Sequence, residues 1–220
     1  ILPSGNLGVG TAAPKAKLHV KASGGVNPEN NGIYVYNESG DAGQDAIVTA
    51  RVNGANAGNP FISLDIGGVV GWSIGIDNKD SQSLKFSNNW NNLANDTKVT
   101  IQRSGNVGLG TNLPNGRLHI YEATGTLVNA NTGSLILEHG NVGGQSSILF
   151  KSKGNAGNDF GYIAYTDNNG GASGEASLLT IGNQNEAEDH IALMPSGNVG
   201  IGTQTPTAKL EVNGRLRITD

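Results

Sequence analysis

The densest candidate for chemistry is the stretch Ser87–Asn92, "SNNWNN", in which Trp90 is bracketed by Asn88, Asn89, Asn91 and Asn92. An indole offers a flat apolar face to a sugar ring, and carboxamides both donate hydrogen bonds to hydroxyls and accept from them. These five residues form the candidate ligand-binding set, with carbohydrate as the ligand class. The competing reading is structural: Trp90 plugs the base of a long loop and the asparagines make turns. No residue is assigned a catalytic role. Gly71–Gly75, "GWSIG", satisfies the Gly-x-Ser-x-Gly pattern, but a serine nucleophile needs a strained strand-to-helix elbow, and these residues read as an uninterrupted strand. His19, His119, His139 and His190 show no metal-ligand spacing. Asp77 with Asp80, and Glu186 with Glu188 and Asp189, fall in turns, where solvated carboxylates are ordinary and calcium would need several converging oxygens. A glycosidase pair is defined by separation in space, and nothing in the order of residues singles one out. No cofactor and no metal are expected.

A second kind of motif occurs three times: "SGNLGVGTAAPKAKLHV" (4–20), "SGNVGLGTNLPNGRLHI" (104–120) and "SGNVGIGTQTPTAKLEV" (196–212). A glycine-rich phosphate cradle must open a helix, so that backbone N–H groups and the helix dipole face the anion. Here Pro14, Pro114 and Pro206 arrive soon after the glycines, a strand pattern follows, and no Gly-Lys-Ser/Thr is present. The copies therefore read as structural joints. Gly and Asn tolerate the positive φ of a tight turn, and the paired glycines that follow allow another backbone to come close. His19, His119 and Glu211 share one repeat position, which an exposed polar strand residue satisfies. One copy holds too few apolar side chains to form a core alone, which points to several chains packed about a common axis.

The rest of the composition agrees with a scaffold that leans on other chains. Of 220 residues, 34 are Gly, against 4 Phe, 2 Trp, 5 Tyr and 1 Met, so the large side chains that offset chain entropy in a compact domain are scarce. Cysteine is absent, which removes disulfides and thiolate metal sites. The net charge is -4 with scattered Lys and Arg, so nucleic acid and membrane insertion are not expected among the partners. Ile1-Leu2-Pro3 align with Ile101-Gln102-Arg103 and Leu193-Met194-Pro195 ahead of the other copies, which suggests a start inside a longer protein.

The strands that must position these features read as all-β. Period-two alternation runs through "DAIVTARV" (45–52), "PFISLDIG" (60–67), "GWSIGID" (71–77), Leu84 with Phe86, and Val99 with Ile101. It returns in "SLILEH", "SSILFKS", "FGYIAYT", "SLLTIG" and "HIALM". Trp72, Phe61 and Phe86 lie inside strands and are expected in a core, and the rings of Tyr34, Tyr36, Tyr162 and Tyr165 also suit a buried face. "NNWNNLAND" favours a loop or a single turn over a helix. The predicted organisation is neck 1–20, β-domain 21–103, neck 104–120, β-domain 121–195 and neck 196–220, a tandem array with a long period.

The three copies, with "AKLEVNG" after the last and the lead-in strands "DTKVTIQRSGN" and "EDHIALMPSGN", closely resemble the joints of bacteriophage tail fibres and of the mosaic adhesive trimer fibres of predatory bacteria. Leu7 and Gly116 depart from the usual residues. The resemblance implies an elongated parallel homotrimer, with two small β-domains separated by interwoven β necks. It implies an extracellular location on a virion tail or bacterial surface, and a distal adhesin or receptor-binding module for an envelope glycan or protein of a target bacterium. It also implies a self-cleaving chaperone after Asp220 in the precursor. Two alternatives accompany that expectation: a purely structural shaft, and a tailspike-like enzyme acting on polysaccharide.

Overall fold

The structure is a computed structural model that describes residues 2–3, 5–22, 32–129, 131–141, 143–151, 160–168, 176–184, 193 and 197–218. Among the described residues every regular element is a strand, and the chain is all-β. It divides into two compact units, Ile1–Thr126 and Leu127–Asp220.

The first unit is built on a six-stranded sheet whose spatial order is its chain order: β3 (Phe61–Ile66), β4 (Val70–Asp77), β5 (Ser83–Ser87), β6 (Thr97–Ile101), β7 (Val107–Leu109) and β8 (Leu118–Ile120). All neighbours are antiparallel except β7 and β8, which are parallel. The register turns the alternation of the sequence into continuous rows. Ile62, Ile74, Phe86, Val99, Leu109 and Ile120 form one row across all six strands; Ile76, Leu84, Ile101, Val107 and Leu118 form a second on the same face. The opposite face carries Ser63–Ser73–Ser87, Asp77–Ser83 and Lys85–Thr100.

Burial on this sheet is inverted. Ser73, Asp77, Ser83, Lys85, Ser87 and Thr100 are all buried, whereas Ile62 is 58% exposed, Ile66 63% and Trp72 38%. The chain's own loops account for the polar side. Loop 54–60 holds the β4–β5 turn through Asn78, whose Nδ2 donates to Ala55 O and Ala57 O at 3.0 Å. Loop 88–96 drops Leu93 onto it, and Ser87 Oγ donates to Leu93 O. Thr100 Oγ1 meets Asn112 Oδ1 of the β7–β8 crossover at 3.3 Å. Among the described residues of the unit no second sheet packs on the apolar side. Trp72 and Phe86, expected in a core, thus lie on a face that one chain leaves open.

The second unit contains a three-stranded antiparallel sheet in the order β11 (Ala176–Gln184), β10 (Phe160–Asn168), β9 (Gln145–Lys151). Ile148, Ile163 and Ile181 share one row, flanked by Tyr165 and Leu179; all five are exposed. Of the described hydrophobic residues, only Leu93 and Ala164 are buried.

Two expected strands are missing. Residues 45–52 and 134–139 alternate in sequence but pair with no described strand. Ile47 is 68% exposed and Ile136 59%. A strand exists only where a neighbour supplies ladder hydrogen bonds, and no described strand supplies them there. Tyr34 and Tyr36 stack on each other with centroids 5.7 Å apart, and both are exposed, not buried. "HIALM" lies almost wholly outside the described residues.

The three joints share one geometry. Each is a pair of short parallel strands: β1 (Leu7–Val9) with β2 (Leu18–Val20), β7 with β8, and β12 (Val199–Ile201) with β13 (Leu210–Val212). Parallel strands ordinarily need a crossover of about a dozen residues or more; here 10–17, 110–117 and 202–209 suffice because side chains hold them. Asn6, Asn106 and Asn198 each donate from Nδ2 to the carbonyl of Pro14, Pro114 or Pro206, at 3.4, 3.3 and 2.9 Å. Thr11, Thr111 and Thr203 accept from the amide two residues on. The positive φ falls on Gly5 and Gly105, at 73° and 85°, so the asparagine is a staple and not the turn residue. The close approach that the next glycines permit is made by the same chain. At Gly110, with φ 75°, a Cβ would fall on Tyr121 O; at Gly108 it would meet Thr111 O. The middle copy is not a free-standing joint, since β7 and β8 are the last two strands of the six-stranded sheet.

Candidate functional site

Loop 88–96 carries the candidate ligand-binding residues, and its shape follows from its asparagines. Asn89 Oδ1 accepts from the amides of Asn91 and Asn92 at 3.1 and 2.9 Å. Asn92 Oδ1 accepts from Ala94 N at 3.1 Å. Asn88 N donates to Asp96 O, closing the loop, and Asn88 Nδ2 donates to Gly71 O at 3.3 Å. Side chains that bond their own backbone this way compete with regular structure and set turns. Asn88, Asn89 and Asn92 therefore build the loop, whereas Asn91 and Asn92 are exposed.

Trp90 is held at its base and open at its tip. Its Cβ and Cγ occupy the space beside Gly71 that any larger residue would fill, yet the residue is 52% exposed. The plug under the loop is Leu93, at 1% exposure. Large size made Trp90 the natural candidate for that role, but Leu93 is the buried residue, tied through its carbonyl to Ser87 Oγ. The structure also adds Asp65, paired with Gly71 in the β3–β4 register; its Oδ1 borders the same glycine. An exposed indole and a nearby carboxylate can stack on a ring and accept from its hydroxyls. Sequence spacing gave no sign of Asp65, because strand register brings it to this site.

The other candidates resolve differently. Ser73 lies in mid-strand on the polar face at 0% exposure, with no elbow to present it. Asp77 and Asp80 do converge, on Lys85: its Nζ is 2.8 Å from Asp77 Oδ2 and 2.7 Å from Asp80 Oδ2. Burial opposes the charge on Asp77, but the hydrogen bond and the positive charge of Lys85 outweigh it and hold the carboxyl below its usual range. Burial likewise opposes the Lys85 charge, and the two aspartates overcome it, raising the ammonium above its usual value. A lysine thus takes the position a cation would use. The cluster Glu186, Glu188 and Asp189 lies outside the described residues.

At the shared repeat position, His19 Nδ1 and His119 Nδ1 accept from Lys15 N and Asn115 N, at 3.2 and 3.3 Å. Glu211 Oε2 does the same for Thr207 N at 2.6 Å and also accepts from Thr207 Oγ1 at 2.8 Å. Those bonds, the backbone one foremost, hold the Glu211 carboxyl below its usual range. The common requirement is an acceptor for the residue after the proline. A histidine and a glutamate both meet it.

No protein-family model matches this chain, and no curated protein matches it significantly.

Proposed function

We propose that the chain is part of a homotrimeric extracellular fibre, in which necks alternate with β-domains, and that it acts as an adhesin for a bacterial cell-surface ligand, an envelope glycan in the first instance. The observation that carries the reading is the inverted sheet of the first unit. Ile62, Leu64, Ile66, Val70, Trp72, Ile76, Leu109 and Leu118 are exposed on one face, whereas a stable domain buries such a face against a second layer. Other copies of the chain carry the same apolar rows and the same segment at 45–52, which pairs with no described strand, so identical chains can complete one another's layers and ladders.

Within that assembly, Trp90 with Asp65 is the recognition surface of the first β-domain. The indole remains available after its own chain has folded, and loop 88–96 is fixed in advance by its asparagines, which lowers the ordering cost of binding. The experiment is a glycan array or envelope-fraction pull-down with the wild-type chain and Trp90→Ala. Binding by the wild type that Trp90→Ala abolishes supports the reading; binding that the variant leaves unchanged moves recognition elsewhere.

A shaft without recognition is the second reading. The structural use of Asn88, Asn89 and Asn92 favours it, and absence of any envelope binding by the wild type would establish it.

A further inference from the structure

The second unit contains a cavity of about 230 Å³ lined by Leu137, Glu138, His139, Ser146, Tyr165 and Asp167. We infer that this cavity is a separate binding site for a single sugar ring that carries no negative charge.

The site is assembled from three places in the sequence. Ser146, on β9, and Tyr165 are register partners on one face of the sheet, and Asp167 follows on the same face of β10. Segment 137–139 forms the other wall, fixed by His139 Nδ1 at 2.8 Å from Ser146 Oγ. That contact orients the imidazole and leaves its second nitrogen for a ligand. The turn between them is tied down: Gly144 N donates to Asn141 O at 3.3 Å, and Asp167 N donates to Gly144 O at 3.1 Å. Gly144 is buried, and a Cβ there would fall on the Cδ2 edge of His139 and on Asn141 Oδ1. Glycine at 144 is thus what lets the ring sit beside the strand.

The lining selects the ligand. Tyr165 and Leu137 supply an apolar wall for the face of a ring, and Glu138, Asp167, Ser146 and His139 supply acceptors and donors around it. Two carboxylates repel uronic acids and phosphorylated sugars and accept from hydroxyls or an amino group. The volume suits one ring, since sites for drug-sized ligands run about 300–1,000 Å³. Asp167 lies four residues along β10 from Ile163, about 13 Å at the rise of a strand, so the polar end of the site is set off from the Ile148–Ile163–Ile181 row, while Tyr165 borders both. The inference shares only its ligand class with the Trp90 reading, and either can fail alone.

The test titrates the full chain with glucose, glucosamine and glucuronic acid, following the amide resonances of Gly144 and Asp167. Saturable shifts with glucose or glucosamine are expected, with glucuronic acid weaker by about tenfold or more, the worth of one charge-assisted hydrogen bond. Glu138→Gln and Asp167→Asn should each weaken binding by about tenfold, and Trp90→Ala should leave it unchanged. Shifts that persist undiminished in both carboxylate variants, that vanish only in Trp90→Ala, or that are strongest for glucuronic acid would overturn the proposal. So would the lack of saturation with every one of the three sugars.

Discussion

Lys85 Nζ lies 2.8 Å from Asp77 Oδ2, with both side chains only 3% exposed. The pair joins β4 to β5 on the face that a sheet of this sequence was least expected to bury, and Asp80 closes the cluster from the turn. Removing one partner leaves the other charge buried, which costs about 3–5 kcal/mol. Lys85→Met and Asp77→Leu are each expected to lower the denaturation midpoint strongly. The triple variant Asp77→Leu/Asp80→Asn/Lys85→Met is expected to recover much of the loss, because it leaves no orphaned charge where Lys85 met both aspartates.

The same pair sets a pH dependence with a definite sign. The Asp77 carboxyl is held below its ordinary value of 3.8, so its contribution is complete above that value and is lost as pH falls through the lower folded value. The Lys85 ammonium is raised above 10.5, so its contribution is complete below that value and is lost as pH rises past it. Denaturation midpoints should carry no step from this pair between those limits and a fall beyond each. Lys85→Met should remove the alkaline fall.

At the joints, the acceptor matters and its chemistry does not. His119→Ala deprives Asn115 N of its partner and is expected to cost about 1 kcal/mol, read as faster hydrogen exchange at that amide. His119→Glu should keep the protection, as Glu211 does for Thr207.

Glycine at 110 combines a φ of 75° with a Cβ position already taken by Tyr121 O. Gly110→Ala should cost at least about 1 kcal/mol from the left-handed backbone alone, with the close approach adding to it. Gly40, with nothing within 4 Å of its Cβ position, is the control; Gly40→Ala should shift the midpoint by no more than about 0.5 kcal/mol.

Loop 88–96 separates plug from platform. Leu93→Ala removes one of the few buried apolar side chains and is expected to cost about 2–5 kcal/mol. Trp90→Ala, truncating a half-exposed ring, should change stability less and binding more. Thermal melts alongside a glycan-binding assay read both.

The strands from Phe61 to Ile101 were legible because two-residue alternation fixes which side chains share a face. It does not say which face is covered, and here loops from the same chain bury Ser73 and Lys85 while Ile74 and Phe86 face away. Residues 45–52 and 134–139 carry the same alternation, but no described strand pairs with them, and alternation alone does not say whether a neighbouring strand is at hand. The joint motif was visible as a repeat, yet the role of its asparagine was not: spacing to the proline eight positions on is a tertiary fact. Trp90 and its asparagines were recognisable by type. Asp65 and the His139–Ser146 contact were not, since both depend on strand register or on a turn made by Gly144.

The central claim is that the apolar face of the six-stranded sheet is completed by other copies of the chain. Light scattering on the purified chain under native conditions tests it most directly. The account predicts a mass three times 22.6 kDa, with loss of that assembly when Ile74→Asp and Phe86→Asp are introduced together. A folded, monodisperse monomer of 22.6 kDa would contradict it.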